Sequence, residues 1–182
     1  MRYKIAGVAL TVILVASVIG ASAFTSGSVE RTSNVNVVND DTGLLALEDG
    51  TSGGLVYQNS TGALEIDFTK GGASGANVEA HYELGNPSDP TNQTAFNITN
   101  NDAESHDITV EYTGAGSGDA DENIQFQVYD SSGTPLGTVS EETTSQTFSG
   151  VSSGTTLYVV MVVDTNGVTN STDLSGTMNV SA

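Results

Sequence analysis

Cysteine is absent from this 182-residue chain, so its acid–base and metal chemistry rests on carboxylates and two histidines. Thiolate nucleophiles and zinc–thiolate sites are excluded at once. His81 and His106 lie far apart in sequence, without the short spacing of a metal motif. His106 is followed by Asp107, but neighbours on a strand point to opposite faces, so the two make no ready dyad. Each histidine reads more simply as an exposed polar residue. Asp119, Asp121 and Glu122 sit in a glycine-rich loop, and Asp40 and Asp41 in another. Carboxylates spaced in this way can offer oxygens to Ca²⁺, a hard cation that wants six to eight of them. Neither cluster has the full EF-hand pattern, and in a chain with so much surface acid an ordinary solvated acidic loop is the simpler reading of both. Ca²⁺ at residues 119–122 is thus the one metal candidate, and no cofactor is required. A glycosidase needs two carboxylates across a cleft. Acid is so abundant here that no pair stands out, and the lack of tryptophan argues against a sugar-stacking platform. The expectation is a protein that is not an enzyme.

One further kind of chemistry is modification. The tripeptide Asn-x-Ser/Thr occurs at Asn59, Asn92, Asn97, Asn170 and Asn179. Each is a weak signal in a chain rich in Asn, Ser and Thr, whereas five together suit an exported surface protein.

These groups must be carried on strands and turns, because no helical period of useful length follows residue 23. Short alternating apolar runs recur between turn clusters, the pattern of a sandwich or jelly roll. Leu44, Leu45 and Leu47 form one run; Leu55 and Tyr57, then Leu64, Ile66 and Phe68, flank Asn59-Ser60-Thr61-Gly62 as a hairpin. Val78 to Leu84 is a further candidate strand, and Pro87 and Pro90 mark the loop after it. Phe96 and Ile98, Ile108 to Tyr112, Ile124 to Val128, and Leu136 to Val151 continue the meander. Leu157 to Val163 is apolar at every position, which requires cover on both faces and places it at a sheet centre. Leu174 to Val180 supplies a last short strand.

The N-terminal residues read as an address. Arg2 and Lys4 give a basic start, Ile5 to Ile19 an apolar stretch, and Ala21-Ser22-Ala23 a cleavage pattern that leaves Phe24 first. Residues 1–23 are therefore read as a signal-peptide helix. An uncleaved anchor is the competing reading, disfavoured because about 20 apolar residues are needed to span a bilayer. After cleavage no stable membrane span is expected, and the protein would be secreted and associated with the cell surface.

Loss of Arg2 and Lys4 takes the formal charge from −18 to −20, leaving Arg31 and Lys70 against 22 acids. Self-repulsion of that size destabilises a compact state unless salt screens it, and at about 1 M salt the Debye length is only ~3 Å. The composition is that of a salt-adapted surface. It matches the disorder signature as well, but the organised apolar runs favour a fold. Without a basic patch, nucleic acid and anionic lipid are poor partners. With no disulfide, the fold depends on its core, on salt, or on pairing with neighbours.

Residues 24–43 form a separate segment, and 44–182 the expected β-sandwich domain. Residues 24–32 are polar, whereas Val35, Val37 and Val38 make a good strand sequence. Such an extended arm can add to its own sheet or to the open edge of a neighbour. The run from Thr25 to Leu47, with Val35-Asn36-Val37 leading into Leu44-Leu45-Ala46-Leu47, resembles haloarchaeal DUF1102 proteins. Phe96-Asn97-Ile98-Thr99-Asn100-Asn101 and Tyr158-Val159-Val160-Met161-Val162-Val163-Asp164-Thr165 resemble the same group. More distantly the chain is similar to the TasA/camelysin group of secreted jelly-roll proteins that form biofilm-matrix fibres. The resemblance implies an all-β, jelly-roll-like antiparallel sandwich that self-associates by donor-strand addition, with the arm from Phe24 to about Val38 as donor. Its partners would be copies of itself or other surface proteins. The rival expectation is a monomeric surface domain that binds glycan or Ca²⁺ through its acidic loops.

Overall fold

The structure, a computed structural model, describes residues 37–51, 53–114 and 123–182. The leader and its cleavage residues Ala21, Ala23 and Phe24, the arm residue Val35, and the acidic loop with Asp119, Asp121 and Glu122 lie outside the described residues.

The described fold is all-β and antiparallel, with eleven strands in chain order. They are β1 Leu45–Asp49, β2 Val56–Gln58, β3 Leu64–Ile66, β4 His81–Leu84, β5 Phe96–Asn100, β6 His106–Gly114, β7 Ile124–Tyr129, β8 Pro135–Ser140, β9 Ser145–Val151, β10 Thr156–Asp164 and β11 Gly176–Ser181. One sheet runs β1-β5-β10-β7-β8, with β4 also paired to β10; a second runs β11-β6-β9; β2 and β3 pair as a hairpin.

The entirely apolar run is β10, and it takes the central position expected of it. Its N-terminal half pairs with β5 (Thr156 with Thr99) and its C-terminal half with β4 (Asp164 with His81). Its other edge pairs with β7 from Tyr158 with Tyr129 to Val163 with Ile124. Leu157, Val159, Met161 and Val163 face inward, where they join Phe96, Ile98, Phe126 and Val128. The second sheet answers with Ile108, Val110 and Tyr112 of β6 and with Phe148 and Val151 of β9. Phe126 sits at the centre of this core, with its ring 6.2 Å from Phe96 and 5.2 Å from Tyr112. Burial of each such side chain contributes about 1.5–3 kcal/mol, which is how a chain without disulfides holds two sheets together. On the outer face of β10, Val160 and Val162 are also buried. Gly85, at the start of the loop after β4, lets that loop close over Val160: a Cβ there would stand 2.8 Å from the Gln93 carbonyl oxygen and 3.1 Å from a Val160 methyl.

Asn100, at the end of β5, ties the two sheets together. It is 2% exposed, donates from Nδ2 to the carbonyls of Glu104 and Val151, and accepts at Oδ1 from the Asp102 amide. Thr165 fastens the end of β10 to the segment leading into β4: its hydroxyl oxygen accepts from the Ala80 amide at 2.8 Å, and the hydroxyl lies 2.6 Å from the Asn77 carbonyl.

The hairpin lies where the sequence places it. Asn59 frames the turn, with Oδ1 accepting from the Thr61 amide and hydroxyl and from the Ala63 amide. The Val78–Leu84 candidate begins as a strand only at His81, and Val78 is 52% exposed. Val37 and Val38 belong to no strand and stand 98% and 54% exposed.

Candidate functional site

The histidines are surface residues with carboxylate neighbours. Nε2 of His106 is 2.6 Å from Oδ2 of Asp102, four residues earlier, rather than paired with Asp107. Asp107 instead accepts from the Gly150 amide at 2.7 Å, as residues on opposite strand faces must find different partners. The bond to His106, together with backbone amides, holds the Asp102 carboxyl below the usual range. His81 lies 3.6 Å from Glu83 and 3.5 Å from Asp164. The first closes the turn between β5 and β6, and the second lies across the β4–β10 strand pair. Among the described residues no group of three or more His, Asp or Glu side chains is placed to hold a metal.

A concavity among the described residues lies between the two sheets, beside the edge of the smaller one. The sheet order leaves β11 as an edge, paired to β6 from Gly176 with Gly114 to Ser181 with Thr109. Residues of the larger sheet, of β11 and of the β2–β3 hairpin face one another across a gap. A groove of about 1090 Å³ occupies this gap. Ile124, Phe126, Met161 and Val163 form its floor, Tyr112 and Met178 one wall, and Leu64, Ile66 and Phe68 the other. The rim is acidic, with Asp40, Glu65, Asp67 and Asp173.

Tyr112 shapes this groove. Its ring lies over Gly176, where a Cβ would stand 2.3 Å from the phenol oxygen and 2.6 Å from Cε2, so only glycine permits the approach. Burial pushes the Tyr112 phenol up to about 12, with the Glu141 and Asp173 carboxylates adding to the shift. On the rim, Asp67 is held low by the Thr69 hydroxyl and amide, and Asp173 by Ser175. These carboxylates are therefore charged at neutral pH.

The outer edge of β11 has no strand partner among the described residues. Nor does β11 carry a charge or a proline, the usual guards of an exposed edge. At the other wall, the chain enters the body through a clamp on the hairpin tip. The Asp40 amide donates to the Gly62 carbonyl, and Asp40 Oδ2 accepts from the Leu64 amide. Exposed Val37 and Val38 thus emerge beside the hairpin, three and two residues before a residue of the groove rim.

This gap was not legible in the sequence. The runs that line it are ordinary strand runs, and only pairing order reveals β11 as an edge strand among the described residues. The sequons are dispersed: Asn59 in the hairpin turn, Asn92 in the loop before β5, Asn97 on β5, Asn170 in the β10–β11 connection and Asn179 on β11. Asn170 is the one among them that borders the groove.

No protein-family model matches the chain, and no curated protein matches it. Among the described residues no helix is long and apolar enough to cross a membrane.

Proposed function

We propose that this protein is an exported, non-enzymatic structural subunit of a cell-surface or extracellular-matrix fibre, assembled by donor-strand addition in a salt-rich medium. The observation that carries the reading is the β11 edge, unpaired among the described residues, beside an apolar-floored groove, in a chain whose strand-like Val35–Val38 segment is exposed at Val37 and Val38. An unpaired edge supplies backbone donors and acceptors, and alternate apolar side chains of an added strand find a floor to bury against. The arm of one copy, residues 24–38, is the donor, and the groove of the next copy the acceptor. The resemblance of residues 25–47 to haloarchaeal DUF1102 proteins implies the same reading. High negative charge suits it too, since salt screens repulsion between packed copies.

The test is electron microscopy and sizing of the mature protein in about 1 M or higher salt, where screening is strong, beside a version lacking residues 24–38. Filaments that vanish on deletion are expected. A folded monomer in both samples sinks the mechanism and leaves a monomeric surface domain.

A further inference from the structure

We infer that Asn170 is the asparagine of this chain that carries an N-linked oligosaccharide; the inference rests on the export reading but not on polymerisation. The co-reactant is an oligosaccharide carried on a lipid phosphate, presented by a transferase. A bond forms between Asn170 Nδ2 and the anomeric carbon, the bond from that carbon to the phosphate oxygen breaks, the lipid phosphate leaves with the electron pair, and the amide nitrogen gives up a proton. The reaction and its product need a free amide nitrogen, a reachable hydroxyl two residues on, and open space for the sugar.

Four of the five sequons fail one of these needs in the folded protein. Asn59 spends its carboxamide on the hairpin turn, with Oδ1 accepting three bonds and Nδ2 donating to Glu65 at 3.2 Å. Asn92 donates to Asp89 at 2.7 Å, and the hydroxyl residue of its sequon, Thr94, is only 3% exposed. Asn97 lies on an inner strand between β1 and β10, its Oδ1 is buried without a partner, and the Thr99 hydroxyl is bonded to Thr156 at 2.9 Å. A sugar there would have to leave from the middle of a six-stranded sheet. Asn179 is exposed, but its amide nitrogen is held by the Glu111 carboxylate across the strand pair at 3.3 Å.

Asn170 meets all three. Asn170, Ser171 and Thr172 are all exposed in the connection between β10 and β11. Among the described residues the Asn170 side chain makes no hydrogen bond. Thr172 Oγ1 accepts from the Thr169 amide at 3.1 Å, which leaves its proton available, the nearest hydroxyl being Thr169 at 3.4 Å.

The experiment is mass spectrometry of the protein purified from its own exporting cells. Cleavage before aspartates separates residues 164–172, which hold Asn170, from 173–182, which hold Asn179. The expected result is a sugar mass on the 164–172 peptide. Asn170→Gln and Thr172→Ala should both abolish it, Thr172→Ser should retain it, and circular dichroism should show all three folded. A bare 164–172 peptide, or sugar confined to Asn59, Asn92, Asn97 or Asn179, overturns the inference. The N-terminal residue and cell fraction of the same sample report on export. Exported protein beginning at Phe24 with a bare Asn170 sinks the site alone; cell-retained protein with an intact leader sinks export and the site together.

Discussion

Replacing Asn100 is the sharpest test of how the two sheets are joined. The side chain is 2% exposed and makes three hydrogen bonds, two donated to the Glu104 and Val151 carbonyls and one accepted from the Asp102 amide. Val151 belongs to β9, so one of these bonds crosses from the larger sheet to the smaller. Each bond is worth about 1 kcal/mol net, and a buried carbonyl left unpaired adds to the loss, so Asn100→Ala should cost about 3–4 kcal/mol. For a domain of about 150 residues that is roughly 6–16 °C in Tm, read by thermal unfolding followed by circular dichroism at fixed molar salt. Asn100→Asp separates hydrogen bonding from packing. It keeps the acceptor and the shape, but turns a carboxylate toward two carbonyl oxygens. Burial and those oxygens raise the pKa of the introduced acid, so its folded form prefers the proton. Stability relative to the native protein should then be worst at neutral pH and recover as pH falls through that raised pKa. An Asn100→Asp protein within about 0.5 kcal/mol of native, the range of an inconsequential surface change, would refute the reasoning. So would a deficit independent of pH.

Two further outcomes follow from the groove and its surface. Gly176→Ala places a methyl against the Tyr112 ring and should cost about 1–3 kcal/mol, read by the same thermal assay. Tyr112→Phe should not rescue it, since ring carbons as well as the hydroxyl lie within 2.6 Å of the added atom; rescue would mean the ring is not where the groove requires it. Acid should also destabilise the protein in a narrow window. Asp67, Asp102, Asp130, Asp164 and Asp173 are all held below the usual aspartate range, chiefly by hydrogen bonds from Thr69, His106, Ser132, Asn166 and Ser175 respectively. A depressed folded pKa means stability that is full above the unfolded value and lost as pH falls below it. At molar salt, where relief of repulsion no longer masks the effect, Tm should hold down to about pH 4 and drop below it. A Tm that rises on acidification through that range would count against these bonds.

How much of this was legible beforehand depended on distance along the chain. Alternation in Phe96-Asn97-Ile98 and Ile124-Gln125-Phe126 marks one buried face, and Asn59 to Gly62 marks a turn, because both are set by atoms a few residues apart. The seven apolar residues from Leu157 to Val163 even reveal their place at the sheet centre, since both faces must be covered. Absence of cysteine, surplus of acid and the run of sequons are equally matters of composition.

Only the tertiary structure decided which strands are neighbours. That β4 and β5 share one edge of β10, that β11 is an edge strand among the described residues, and that a groove lies beside it are consequences of long-range pairing. No local pattern encodes pairing, because an edge strand and an inner strand present the same alternation. The same holds for the five sequons, which are alike as tripeptides. What rules out Asn97 is its place between β1 and β10, strands far away in the chain, whereas Asn170 stands in an exposed connection.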